Sequence, residues 1–192
     1  TFRYPTSVAV SRDGTTLYVA DLNQLIRAVD LSIPGGLVRT LAGTAGVRGS
    51  TDGLAATFSH PTALVATSRA LIVADKFNQL VRSIQLYGAH AGTTATIAGT
   101  AGVRGEANSA DAPGGATTFN EPSALALTPY DEVLYLSDRA NGKIRAMSME
   151  TSAVSDLAGL GVRPFSRDGA AALATFQSPS GLAVSPDGVR LY

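Results

Sequence analysis

The sequence predicts an all-β chain assembled from four-stranded antiparallel units. Three observations carry that prediction. A Thr-Phe-x-x-Pro signature occurs four times, at Thr1–Pro5, Thr57–Pro61, Thr118–Pro122 and Thr175–Pro179, with the prolines 56, 61 and 57 residues apart. Between signatures lie four short runs rich in Val, Ile, Leu and Tyr, separated by Gly, Asp and Asn, which is the punctuation of strands and turns. No apolar 3.6-residue period runs long enough to build a core helix.

The elements follow in order. The first run comes after the proline, as in Ser7-Val8-Ala9-Val10 and Gly181-Leu182-Ala183-Val184. A turn follows, Asp13-Gly14 in the first copy and Asp187-Gly188 in the fourth, a dipeptide that signals a hairpin. The second run ends in an acid: Leu17 to Asp21, Leu71 to Asp75, Leu134 to Asp138. The third closes on Ile26-Arg27, Val81-Arg82 and Ile144-Arg145, and the fourth on Leu41-Ala42-Gly43, Ile97-Ala98-Gly99 and Leu157-Ala158-Gly159. Four short strands per unit of this size make one blade of a β-propeller. A lone blade buries neither face, so neighbours stack on both sides. The expected organisation is one incomplete propeller over residues 1–192, with repeats near 1–56, 57–117 and 118–174 and a partial copy over 175–192.

Composition excludes several classes. The 192 residues carry 15 basic and 15 acidic groups, so no net charge steers the chain to nucleic acid or to an anionic membrane surface. With no cysteine, disulfides, thiolate zinc sites and cysteine nucleophiles are out of reach. No apolar run approaches the roughly 20 residues of a membrane helix.

The pattern A-x-F-x-x-P-x-G-[IL]-A-V, then L-Y-V-A-D-x-x-N-x-x-[IV]-R, then T-[LI]-A-G resembles the NHL repeat of β-propellers. Ala174-Thr175-Phe176…Pro179…Gly181-Leu182-Ala183-Val184 and Val73-Ala74-Asp75…Asn78…Val81-Arg82 match it closely. The resemblance covers essentially the whole chain, although Ser7, Ala63 and Ala124 replace the glycine kept at Gly181. It implies a ring that usually has six blades. The chain holds about three and a half, and both ends supply inner-strand sequence. The remaining blades are therefore expected from the rest of a longer chain or from another copy.

Strand parity assigns the faces. With strands a to d alternating in direction, the a–b and c–d turns share one face of the disc, while the b–c turns and the d–a crossings share the other. The crossings are long (residues 44–56, 100–117 and 160–174), and long loops in a compact fold are disproportionately functional. Each carries an arginine at a matched place: Arg48 and Arg104 in Gly-Val-Arg-Gly, and Arg163 in Gly-Val-Arg-Pro. Guanidinium groups spaced around a face can fork onto carboxylates or phosphates. Alternatively, each arginine ties its loop to the neighbouring blade.

Other repeated residues read as structural. Arg27, Arg82 and Arg145 share a strand face with Val29, Ile84 and Met147, which places their stems between blades, and Asp21, Asp75 and Asp138 stand ready to staple them. Phe2, Phe58, Phe119 and Phe176 read as core plugs. Asp52, Asp111 and Asp168 precede small-residue stretches as N-caps of a helical turn.

Catalytic chemistry has little to stand on. The two histidines, His60 and His90, do not recur at matched positions, and no metal-binding spacing, nucleophile elbow or phosphate loop is present. The histidine-rich zinc set of related peptide-trimming propeller lyases is not supplied by this segment. No cofactor or metal is expected. The leading expectation is a non-enzymatic scaffold that holds a protein partner on the b–c and d–a face. A single-stranded RNA platform on that face, known for other members of the family, is less favoured because loop acids offset the arginines. A hydrolase or lyase would need catalytic residues from missing blades.

Overall fold

A computed structural model describes residues 1–105, 117–162 and 165–192. Twelve strands form three four-stranded antiparallel sheets in simple meander order. The first blade holds β1 (Pro5–Val10), β2 (Thr16–Asp21), β3 (Leu25–Asp30) and β4 (Leu37–Gly43). The second holds β5 (Pro61–Ala66), β6 (Ala70–Asp75), β7 (Leu80–Gln85) and β8 (Thr94–Ala98). The third holds β9 (Pro122–Leu127), β10 (Val133–Asp138), β11 (Lys143–Ser148) and β12 (Val154–Ala158). Among the described residues the helical elements are two 3-10 turns, Lys76–Asn78 and Arg139–Asn141, both at b–c turns. Past Pro179, Ala183 and Tyr192 exchange backbone hydrogen bonds across the Ser185–Arg190 turn, so the partial copy forms the opening hairpin of a fourth blade.

The cores lie between sheets. Phe58 is fully buried against Ala20, Ile26 and Ala42 of the first blade and Leu71, Val73 and Ile84 of the second. Phe119 takes the same place between the second and third blades, against Ile72, Val81, Leu134, Leu136 and Met147. Phe2 departs from the plug reading: it is 41% exposed, beneath the Arg27 guanidinium at 5.8 Å. A plug needs apolar walls on both sides, and the outward face of the first blade, with Val8 and Val10 exposed, has no sheet against it. Phe176 is half-buried for a similar reason, because the fourth blade contributes only its first hairpin.

Hydroxyls join the inner strands. The β1–β2 and β5–β6 ladders each carry a bulge just after the proline, which re-aims the extra residue. Thr6 Oγ1 then donates to the Pro61 carbonyl of the next blade at 2.8 Å, Thr62 to Pro122 at 3.4 Å, and Ser123 to Pro179 at 3.2 Å. On the a–b side the inner strands border an open space of about 530 Å³, lined by Ala9, Leu64, Leu127 and Val184 together with the polar Ser11, Arg12 and Thr128. There, Asp131 accepts hydrogen bonds from Arg12 of the first blade and the Ser68 N–H of the second.

Candidate functional site

The b–c turns and d–a crossings are held by one set of contacts that recurs from blade to blade. Each b strand ends in a buried aspartate whose carboxylate accepts the N–H of the residue two before the proline: Asp21 from Arg3 at 2.9 Å, Asp75 from Ser59 and Asp138 from Asn120, both at 2.7 Å. In the second and third blades the carboxylate also accepts from an asparagine three residues on, Asn78 at 2.7 Å and Asn141 at 2.9 Å. The Asp-x-x-Asn spacing therefore closes the 3-10 turn onto the end of its own strand. Burial pushes the Asp75 carboxyl up to about 6, against the pull of Asn78, Ser59 and Arg82, and raises Asp138 as well.

The arginine staples form in two blades of three. Arg82 and Arg145 are fully buried and meet Asp75 and Asp138 at 3.0 and 3.4 Å. Arg82 does more than staple. Its Nη1 donates to the Thr57 carbonyl at 3.1 Å, its Nη2 to Thr51 at 2.7 Å and to Asp52 at 2.6 Å, and its guanidinium lies 5.1 Å from the centre of the Phe58 ring. In the first blade the expected Asp21–Arg27 pair is not made: Arg27 Nε points instead to the Arg39 carbonyl at 3.5 Å. The reason is visible in the second blade, where the guanidinium is held in place by the crossing loop 51–57 laid over it.

Asp52 corrects the N-cap reading. Among the described residues no N–H of the turn at residues 54–55 donates to it; its carboxylate instead binds Arg82 and accepts the Thr96 N–H at 3.0 Å, a charge-assisted arrangement stronger than a cap. After Asp168 the chain does make one turn, with Leu173 and Ala174 N–H both bonded to the Ala170 carbonyl. Asp111 lies outside the described residues.

The crossing loops present the candidate binding arginines. Gly46 N–H bonds the Asn23 carbonyl and Gly102 N–H bonds Asn78, so each Gly-Val-Arg-Gly turn docks on the b–c turn of its own blade. Both glycines sit at φ near +70°, a backbone state that favours glycine. Arg48 and Arg104 are exposed, and among the described residues neither has a hydrogen-bond or ion-pair partner. Arg163 lies outside the described residues.

A second ring was not anticipated from the residues. The position before each signature proline takes a left-handed backbone in every copy: Tyr4, His60, Glu121 and Ser178, at φ 54–58°. Residues before proline prefer extended conformations, so each must be held. In two of the four copies a buried glutamine from the preceding blade does this: Gln24 Oε1 accepts the His60 N–H at 2.9 Å and Gln79 Oε1 accepts the Glu121 N–H at 2.7 Å. The signal lay in the Asn-Gln pairs 23–24 and 78–79, which recur at one repeat position. Gln79→Ala will strip the acceptor from Glu121 and cost about 1–2 kcal/mol in denaturant unfolding. A change below about 0.5 kcal/mol would show that the clamp is incidental.

Around this ring, Lys76 and Arg139 project from the 3-10 turns and converge on Glu121 at 3.2 and 2.8 Å. The His60 ring packs on Phe77 with centroids 4.3 Å apart, and Lys76 Nζ sits 5.2 Å from the Phe77 centre. Among the described residues no three His, Asp or Glu side chains converge as a metal site.

Known proteins place this architecture. No family model matches the chain. The human NHL repeat-containing protein 2 is 29% identical over 171 residues, covering 81% of this chain, and its bovine counterpart is 28% identical over 169. Over most of its length the chain is thus similar to NHL repeat-containing proteins. The chain spans about a fifth of the length of those relatives, 22% of each. Among solved structures it superposes on a Bacteroides thetaiotaomicron protein of unknown function with a TM-score of 0.75, at 18% identity, over 96% of this chain and 42% of that one. An auxiliary nutrient binding protein from Bacteroides ovatus gives a TM-score of 0.70 at 16% identity, over 100% of this chain and 48% of that one. At such identities the likeness is one of fold.

Proposed function

We propose that this NHL propeller segment is a non-enzymatic scaffold that holds a protein partner on its b–c and d–a loop face, with the remaining blades supplied by the rest of a longer chain or by another copy. The observation that carries this reading is the contrast on that face. Its backbone is pinned by the aspartate, asparagine and glutamine contacts repeated along the blades, while Arg48 and Arg104 stand exposed on it at matched positions. A rigid platform with free side chains loses little conformational entropy on binding.

Site-specific photo-crosslinking in the full-length protein tests the choice of face. A crosslinker at position 104 will give discrete protein adducts in the native host, and one at the exposed position 69, in an a–b turn, will not. Adducts from 69 alone, or from neither, would overturn the reading.

A further inference from the structure

The two faces of the disc differ in charge, although the chain has none overall. Among the described residues the a–b and c–d turns carry Asp13, Asp131, Glu132, Glu150 and Asp187 against three arginines. The loop face carries Arg3, Arg48, Lys76, Arg104, Arg139 and Arg167 against Asp52, Glu121 and Asp168. Asp52 is already committed to the buried Arg82. Among the described residues the loop face is the positive one.

That charge gathers where the first and second blades meet. Phe77 N–H bonds the Ser59 carbonyl at 3.0 Å and Lys76 N–H bonds the His60 carbonyl at 3.2 Å, so the 3-10 turn is fixed beside His60. Arg48 enters from the crossing loop, where its backbone bridges Phe58, two residues before His60. Burial, together with the nearby Arg48 and Lys76, holds the His60 imidazole below its usual pKa and so neutral at pH 7. The result is a neutral His60–Phe77 stack, with Phe77 41% exposed, flanked by Arg48 and Lys76; Lys76 shares the single carboxylate of Glu121 with Arg139, so two cations meet one anion there and the cluster keeps an excess of positive charge.

We propose that this junction docks an acidic segment of a protein partner: one of its carboxylates approaches Arg48 over the His60–Phe77 stack, where Lys76, which shares Glu121 with Arg139, adds to the attraction. This rests on the loop-face reading above and adds the chemistry of the partner. Charge complementarity favours carboxylates, and an apolar floor beside the cations strengthens each pair by excluding water. Single-stranded nucleic acid wants open aromatic faces for its bases, whereas Phe77 is already packed on His60 and lies under Lys76.

The test is fluorescence anisotropy with the full-length protein and three labelled probes: a twelve-residue Glu/Ala peptide, a Lys/Ala peptide of equal length, and a twelve-nucleotide uridine RNA. The acidic peptide will bind, and added salt will weaken it, as it does exposed charge pairs. Arg48→Glu will lower its affinity about tenfold with an unchanged melting midpoint, Lys76→Ala severalfold, and the a–b face variant Arg69→Glu not at all. No binding of the acidic peptide, or an equal loss in Arg69→Glu, would overturn the proposal. So would tighter binding of the RNA with the same dependence on Arg48, which would assign the patch to nucleic acid. If crosslinking from position 104 persists while the peptide fails, this inference falls and the scaffold reading stands; if crosslinking fails as well, both fall.

Discussion

Arg82→Ala will destabilise the propeller by on the order of 3–5 kcal/mol, the range for breaking a buried ion pair from one side. The size follows from what the guanidinium leaves behind. Asp75 is fully buried, and without the Arg82 cation that holds its carboxyl down, burial pushes it further up, so it must either carry an unpaired buried charge or take up a proton. The Thr57 carbonyl loses its guanidinium donor and the Thr51 carbonyl keeps only the Thr57 N–H, so the crossing between the first and second blades comes loose at the same time. Asp52 is the least affected, because its 47% exposed side chain rehydrates. Arg82→Lys will not rescue, since one ammonium cannot reach partners spread around a planar fork. Arg82→Met combined with Asp75→Asn will recover part of the loss, because no buried charge is then unpaired. Arg27→Ala is the internal control: half-buried and without its aspartate, Arg27 should matter by less than about 1 kcal/mol. Denaturant unfolding compares the variants, and a loss below about 1 kcal/mol for Arg82→Ala would show that the network does not hold the crossing.

The sequence made the blades legible because a blade is a local object. Period-two runs, Asp-Gly turns and the repeated signature all act within some forty residues, and antiparallel pairing follows from short connections. The Asp75–Arg82 and Asp138–Arg145 staples were readable for the same reason, with partners seven residues apart on paired strands. What stayed hidden crosses between blades. Asp52 looks like a cap when read beside Gly53, and only its partner thirty residues away gives it another role. Thr6 and Thr62 carry no mark in the repeat pattern, and only the bulge after the proline turns their hydroxyls to the next blade. Phe2 shares its signature with Phe58, yet burial depends on the neighbouring sheet and not on the residue. The His60 patch was hidden for a related reason. Its members come from a crossing loop, a pre-proline position and a b–c turn, and no spacing in the chain joins them.

Phe119→Ala will cost on the order of 3–5 kcal/mol, the range for emptying a fully buried aromatic site. The ring has 0% exposure and is walled by both blades, so neither sheet can close the void without sliding against the other. That sliding is resisted by the Gln79 clamp on Glu121 and by the Thr62 hydroxyl on Pro122, which fix the same junction at the loop face and at the inner strands. The cavity should therefore remain largely open, putting the loss toward the upper end of the range. Phe58→Ala should cost as much, and its effect will not add to that of Arg82→Ala, because the guanidinium lies over that ring. Phe2→Ala, removing a ring that is 41% exposed and covered only by the Arg27 side chain and its own blade, should cost less than about 1 kcal/mol. The order Phe119 ≈ Phe58 > Phe176 > Phe2 is what burial between blades requires, whereas an intrinsic role for the repeated residue would make all four alike. Urea titration of the four alanine variants decides between them, and a loss at Phe2 equal to that at Phe119 would refute the junction as the source of the stability.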